Sequence, residues 1–107
     1  MKVIQYTMSI PKDKQKDFID YAKKVLGPTW KKYGCKKHEL YQVFEKIVIG
    51  KQTIEQDKFI ERLYVEDSFD ISNFYKVTKE NELEKTKSYE HQFGAYLIEL
   101  RVLIEAV

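Results

Sequence analysis

The 107-residue sequence predicts an α+β fold, βαββαβ in order, with one antiparallel sheet carrying both helices on a single face. Three observations predict it. The first stretch alternates, with Ile4, Tyr6, Met8 and Ile10 on one side and Val3, Gln5, Thr7 and Ser9 on the other, which is the period of two that a strand imposes. The last stretch alternates likewise through Tyr96, Ile98, Leu100, Val102 and Ile104, opposite Leu97, Glu99, Arg101, Leu103 and Glu105. Between them, two segments of helical spacing flank two further strand-like runs, in a length that suits one domain spanning residues 1–107.

The elements follow in order. The first strand covers 3–10 and ends at Pro11, a residue suited to the first helical position because no hydrogen bond is lost there. Phe18, Tyr21, Ala22 and Val25 then recur at i, i+3, i+4 and i+7 as one apolar stripe, which Trp30 and Tyr33 prolong. Pro28 would crowd the carbonyl of Lys24, so a kink or break is expected at Gly27-Pro28. Gly34 suits a left-handed C-cap. The second strand is expected over 37–49 and the third over 53–66, joined by a turn at Gly50-Lys51 or at Gln56-Asp57. These strands are long for a hairpin, so 47–56 should protrude as an arm. Its isoleucines and valine would be exposed edge surface unless another chain covered them, which favours an oligomer. Asp70 or Ser72 can cap the second helix, whose inner stripe is Ile71, Phe74, Tyr75 and Thr78. From Lys79 to Lys87 only Leu83 is apolar, so irregularity is expected there before Tyr89 and Phe93 resume packing and Gly94 ends the element. This order and alternation make the ferredoxin-like arrangement.

Charged residues make up 34% of the chain, yet the signs are interspersed, as in KENELEK at 79–85, and the net charge is only +2. A nucleic-acid binder concentrates its basic residues on one surface, so no nucleic-acid partner is expected. The single cysteine, Cys35, rules out an intrachain disulfide and suits a reduced, cytoplasmic setting. The start carries no apolar signal core. No apolar run approaches the roughly twenty residues of a membrane helix, so no membrane partner is expected either.

Tyr33-Gly34-Cys35 leading into His38-Glu39-Leu40-Tyr41-Gln42 resembles the passage from first helix to second strand in dimeric α/β-barrel proteins. FIERLYVED at 59–67 resembles their third strand. The resemblance covers nearly the whole chain in element order, with 47–56 as an insertion. It implies a homodimer whose two sheets face each other to form a barrel, with a pocket between sheet and helices. That superfamily includes antibiotic-biosynthesis-type monooxygenases, haem degraders, muconolactone isomerases, stress-responsive barrels and ligand-sensing modules, and fold does not choose among them. A haem degrader of this kind would carry an asparagine on the first strand, a tryptophan on the third and a histidine early on the second helix. Here stand Gln5 or Thr7, Tyr64, and no histidine between Ser68 and Tyr89, while His91 falls too late. The resemblance therefore implies no haem degradation, and no tightly bound cofactor is expected.

The sharpest constellation is Arg62, Tyr64, Glu99 and Arg101 on the polar face of the sheet. Two guanidiniums and a phenol can hold an anionic or phenolic ligand, with Glu99 accepting a proton. The same residues can instead be structural, Arg62 or Arg101 pairing with Glu99 across the sheet or between copies. His38 and His91 lack metal-ligand spacing, so no metal is expected. Each is a general-base candidate at neutral pH, or a surface or edge-strand histidine, since no carboxylate partner is identifiable. A pocket lined by Arg62, Tyr64 and His38 would favour chemistry. Cys35 beside Lys36 and Lys37 is either a thiol lowered in pKa or a small apolar residue at a strand entrance, and Trp30 reads as core packing. There is no glycine-rich phosphate loop, nucleophile elbow or zinc motif. FIERLYVE also lacks the glycine and paired aromatics of RNA-binding sheets. Two readings remain: a cofactor-independent monooxygenase or isomerase acting on a small aromatic or polyketide-like substrate, or a non-catalytic ligand-sensing or dimerisation module.

Overall fold

A computed structural model describes residues 1–81 and 92–107. Strand β1 (Lys2–Ser9) leads through a short 3₁₀ turn into a continuous helical arm made of α1 (Gln15–Tyr21), a π turn (Ala22–Leu26) and α2 (Gly27–Lys32). Then come β2 (Lys37–Gln42), β3 (Glu45–Val48), β4 (Lys51–Ile54), β5 (Lys58–Val65), α3 (Ile71–Asn81) and β6 (Tyr96–Ile104). The main sheet is antiparallel in the order β2-β5-β1-β6, the ferredoxin-like arrangement the alternation predicts. Leu83, Tyr89 and His91, and the side chains of Thr78, Leu97 and Ile98, lie outside the described residues.

Alternation sets which face is buried. Ile4 and Met8 on β1 and Phe59, Leu63 and Val65 on β5 meet Phe18, Ala22, Leu26, Trp30 and Phe74 from the helices in one core cluster. Each buried Val, Leu, Ile, Phe or Met side chain among these contributes about 1.5–3 kcal/mol. Phe18 stands edge-on to Phe59 at 5.5 Å and to Phe93 at 5.4 Å, and Trp30 lies 5.5 Å from Phe74. Trp30 is thus a core residue, as its place on the helix suggests. The stripe itself differs from the expected one, because Leu26 is buried while Val25 is only half-buried.

The π turn explains that shift. Pro28 has no N–H to give and its ring would press on the carbonyl of Lys24. The helix widens one turn earlier rather than breaking, and the Gly27 N–H donates to the carbonyl of Ala22, five residues back. Gly34 ends the arm at φ +106, the expected left-handed cap. At α3 the choice between two caps resolves to Asp70, whose Oδ1 accepts the Asn73 N–H at 3.0 Å.

The two middle strands are shorter than expected, because 43–57 leaves the sheet. β3 and β4 form a separate two-stranded ribbon. Its tip is Ile49-Gly50, one residue before the expected turn, with φ of +48° and +80°, the double left-handed turn of a tight hairpin. Gln56-Asp57 also turns. Ile10 N–H donates to the Asp57 carbonyl at 2.8 Å, while the Gln15 and Gln42 side-chain amides donate to the Gln56 carbonyl at 3.2 and 2.7 Å. This clamp bends the chain back into β5. Phe44, Ile47, Val48, Ile49 and Ile54 of the ribbon are exposed, as expected of an uncovered arm. No described helix is long and apolar enough to cross a membrane.

Candidate functional site

The helix-facing side of the sheet carries one residue that does not match its neighbours. Along β5, Phe59, Glu61, Leu63 and Val65 alternate inward, and Glu61 is as fully buried as Phe59 and Leu63. A carboxyl group there requires hydrogen-bond partners. The neighbouring strands supply polar groups beside it. On β2, His38, Leu40 and Gln42 point to the same side, with Leu40 directly opposite Glu61 and His38 one pair along. The His38 imidazole reaches Glu61 diagonally, Nε2 to Oε2 at 2.8 Å, with the His38 side chain only 9% exposed. Tyr6 of β1 stands directly opposite Glu61 on its other flank. Burial, with Tyr75 and Glu61 close by, pushes the Tyr6 phenol far above its ordinary pKa, so it stays a neutral donor. Tyr75 of α3, next to it, is also raised by burial. The helical arm passes over the histidine, Gly27 lying against its Nδ1 and Cε1.

A carboxyl and an imidazole in contact, flanked by two protonated phenols, can accept a proton at one point and donate hydrogen bonds at others. Among the described residues, no three His, Cys, Asp or Glu side chains converge to ligate an ion.

The outward face holds a different cluster. Across four strands, Glu39, Arg62, Gln5 and Arg101 lie in one row. Arg62 Nε donates to Gln5 Oε1 at 3.0 Å, and its guanidinium covers the Tyr41 ring at 5.7 Å. Glu39 accepts from the Tyr41 hydroxyl at 2.8 Å and lies 3.4 Å from Lys37 Nζ. The Tyr64 hydroxyl, then that of Tyr41, hold the Glu39 carboxyl below its ordinary pKa. Glu99 pairs with Arg101 on its own strand at 2.6 Å, both largely exposed.

The expected ligand set therefore divides. Arg62, Tyr64, Glu99 and Arg101 share the outward face, while His38 lies on the opposite one. A pocket lined jointly by Arg62, Tyr64 and His38 is not formed, because the register sets Glu39 opposite Arg62 and His38 opposite Leu63, and neighbouring positions along a strand face opposite sides of the sheet. His38 does sit on an edge strand, but it is largely buried and its carboxylate partner is Glu61. Cys35 is buried and donates to the Lys37 carbonyl at 3.0 Å, and burial raises its thiol pKa despite the adjacent lysines. Glu61 was the residue sequence reasoning missed. The signal was present: assigning Ile60, Arg62 and Tyr64 to one face leaves Glu61 on the other, among core residues.

No family model matches this chain, and no curated protein matches it. Solved structures do. A dimeric ferredoxin-like protein from an uncultured marine organism superposes with a TM-score of 0.65 at 13% identity, covering 99% of this chain and 96% of its own. A protein of the ethyl tert-butyl ether D (EthD) family from Bacillus halodurans superposes with a TM-score of 0.56, also at 13% identity, over 98% of this chain and 99% of its own. The fold is ferredoxin-like. At such identity the likeness extends to the fold alone, and it agrees at that level with the resemblance drawn from the sequence.

Proposed function

We propose that this chain, as a single domain, binds a small aromatic or anionic molecule between its sheet and its helices and takes a proton from it, without a tightly bound cofactor. The observation that carries the reading is the buried contact of 2.8 Å between His38 and Glu61, beside Tyr6 and Tyr75. A phenol or enol suits such a site: the pair accepts the acidic proton and the neutral phenols donate hydrogen bonds to the oxygen that becomes negative. An anion so formed can be oxidised by dioxygen. Its carbon forms a C–O bond as dioxygen is reduced to a hydroperoxide, whose terminal oxygen recovers the proton from the pair. Native mass spectrometry of the purified protein tests the reading. A small molecule retained by the wild type and lost in Glu61→Gln supports it, and no retained mass in either protein counts against it.

We assign the outward face to contact between two copies. A sheet with helices on one side leaves Arg62, Tyr64, Glu99 and Arg101 without a covering layer among the described residues, and a partner's sheet supplies one. The exposed ribbon side chains favour a second reading, a non-catalytic ligand-sensing or dimerisation module. The two differ in turnover: a module retains its ligand unchanged, whereas an enzyme consumes it.

A further inference from the structure

Gly27 sits in ordinary right-handed helical conformation, φ −55° and ψ −54°. Its backbone has no need of glycine, and glycine inside a helix is less stable than alanine. What the position lacks is space. A Cβ there would lie 3.1 Å from His38 Nδ1 and 3.7 Å from Cε1, against side-chain atoms, and 3.4 Å from the Ala22 carbonyl oxygen. The same residue closes the π turn by donating to that carbonyl. The widened turn buries both Leu26 and Gly27 against the sheet, and it is where an imidazole held by Glu61 on its far side meets the helix.

We propose that Gly27, presented by the π turn ahead of Pro28, is a positioning residue that seats the His38 imidazole against Glu61. The ring is held between two boundaries: Nε2 is fixed at 2.8 Å from Glu61 Oε2, and Nδ1 lies where a Cβ at position 27 would come within 3.1 Å of it. A methyl group at 27 fills the second boundary and pushes the ring off the first. The functional meaning of this device rests on the proposed proton-accepting role of the pair, but its geometry does not.

The experiment is a double-mutant cycle of Gly27→Ala with His38→Ala, read by thermal melting and by the imidazole ¹⁵N resonances of His38. In the wild-type background, Gly27→Ala lowers Tm and moves the Nε2 resonance. In the His38→Ala background the same substitution raises Tm, because alanine then adds helix stability with no ring to strike. Should Gly27→Ala alone fail to fold, the double variant folding better than His38→Ala makes the same point. A rise in Tm in both backgrounds, with unmoved imidazole resonances, overturns the proposal. Native mass spectrometry separates this from the functional reading: a wild type with no bound small molecule removes the proposed function and leaves the positioning role standing.

Discussion

Glu61 is the residue on which the proposed chemistry turns. An acid at a core position needs partners, and a buried hydrogen-bonded pair is seldom more stable than well-packed apolar residues of the same volume. Replacing His38 and Glu61 together by Leu and Met should leave stability unchanged or raise it by about 1–4 kcal/mol. Removing one partner, as in His38→Ala, should cost up to about 3–5 kcal/mol. Urea unfolding of the three proteins checks both figures, and a double variant that loses as much stability as His38→Ala would contradict them. A second residue-scale expectation concerns Glu39, whose carboxyl pKa is depressed by the hydroxyls of Tyr64 and Tyr41. A group depressed in the folded state adds stability above its ordinary pKa and loses it as pH falls through the folded value. The melting temperature should therefore decline below the usual carboxylate range, and Glu39→Gln should flatten that acid limb while leaving Cys35 and the core untouched. At this scale the face of each side chain was legible from alternation, and the pairing of His38 with Glu61 was not. Pairing needs register, and register here depends on a hairpin whose connection is interrupted by the ribbon at 43–57.

Among the elements, the helical arm departs most from simple periodicity. The stripe through Phe18 and Ala22 was legible because those positions precede the π turn. Leu26 was not, since one extra residue per turn rotates everything that follows. The Asp70 cap offers a direct check: Asp70→Ala should cost about 1 kcal/mol by leaving the Asn73 N–H without its acceptor. The ribbon tip offers the opposite sign. Ile49 is a β-branched residue at φ +48°, wholly exposed, and left-handed backbone costs such a residue roughly 1–2 kcal/mol. Ile49→Gly should accordingly raise the melting temperature. A fall would show that the isoleucine side chain makes a stabilising contact, which a second copy would have to provide.

For the molecule as a whole, the sheet order and helix layer were legible because the first and last stretches alternate and segments of helical spacing fall between the strand-like runs. What sequence could not show is that an acid lies buried on the helix side of the sheet, since the residues richest in charge, Arg62, Glu99 and Arg101, all face outward. Sedimentation should give a homodimer at micromolar concentration, as an interface of roughly 1,200 Å² or more permits, and Arg62→Glu should weaken it without disturbing the inner pair. The inner site is tested most directly with 4-nitrophenol, whose phenolate absorbs visible light, held at a pH below its own pKa. With wild-type protein the phenolate band should grow on binding, and with Glu61→Gln, shown folded by circular dichroism, it should not. A band that the wild type leaves unchanged, or that both proteins raise equally, would contradict the assignment of His38 and Glu61 as the proton acceptor.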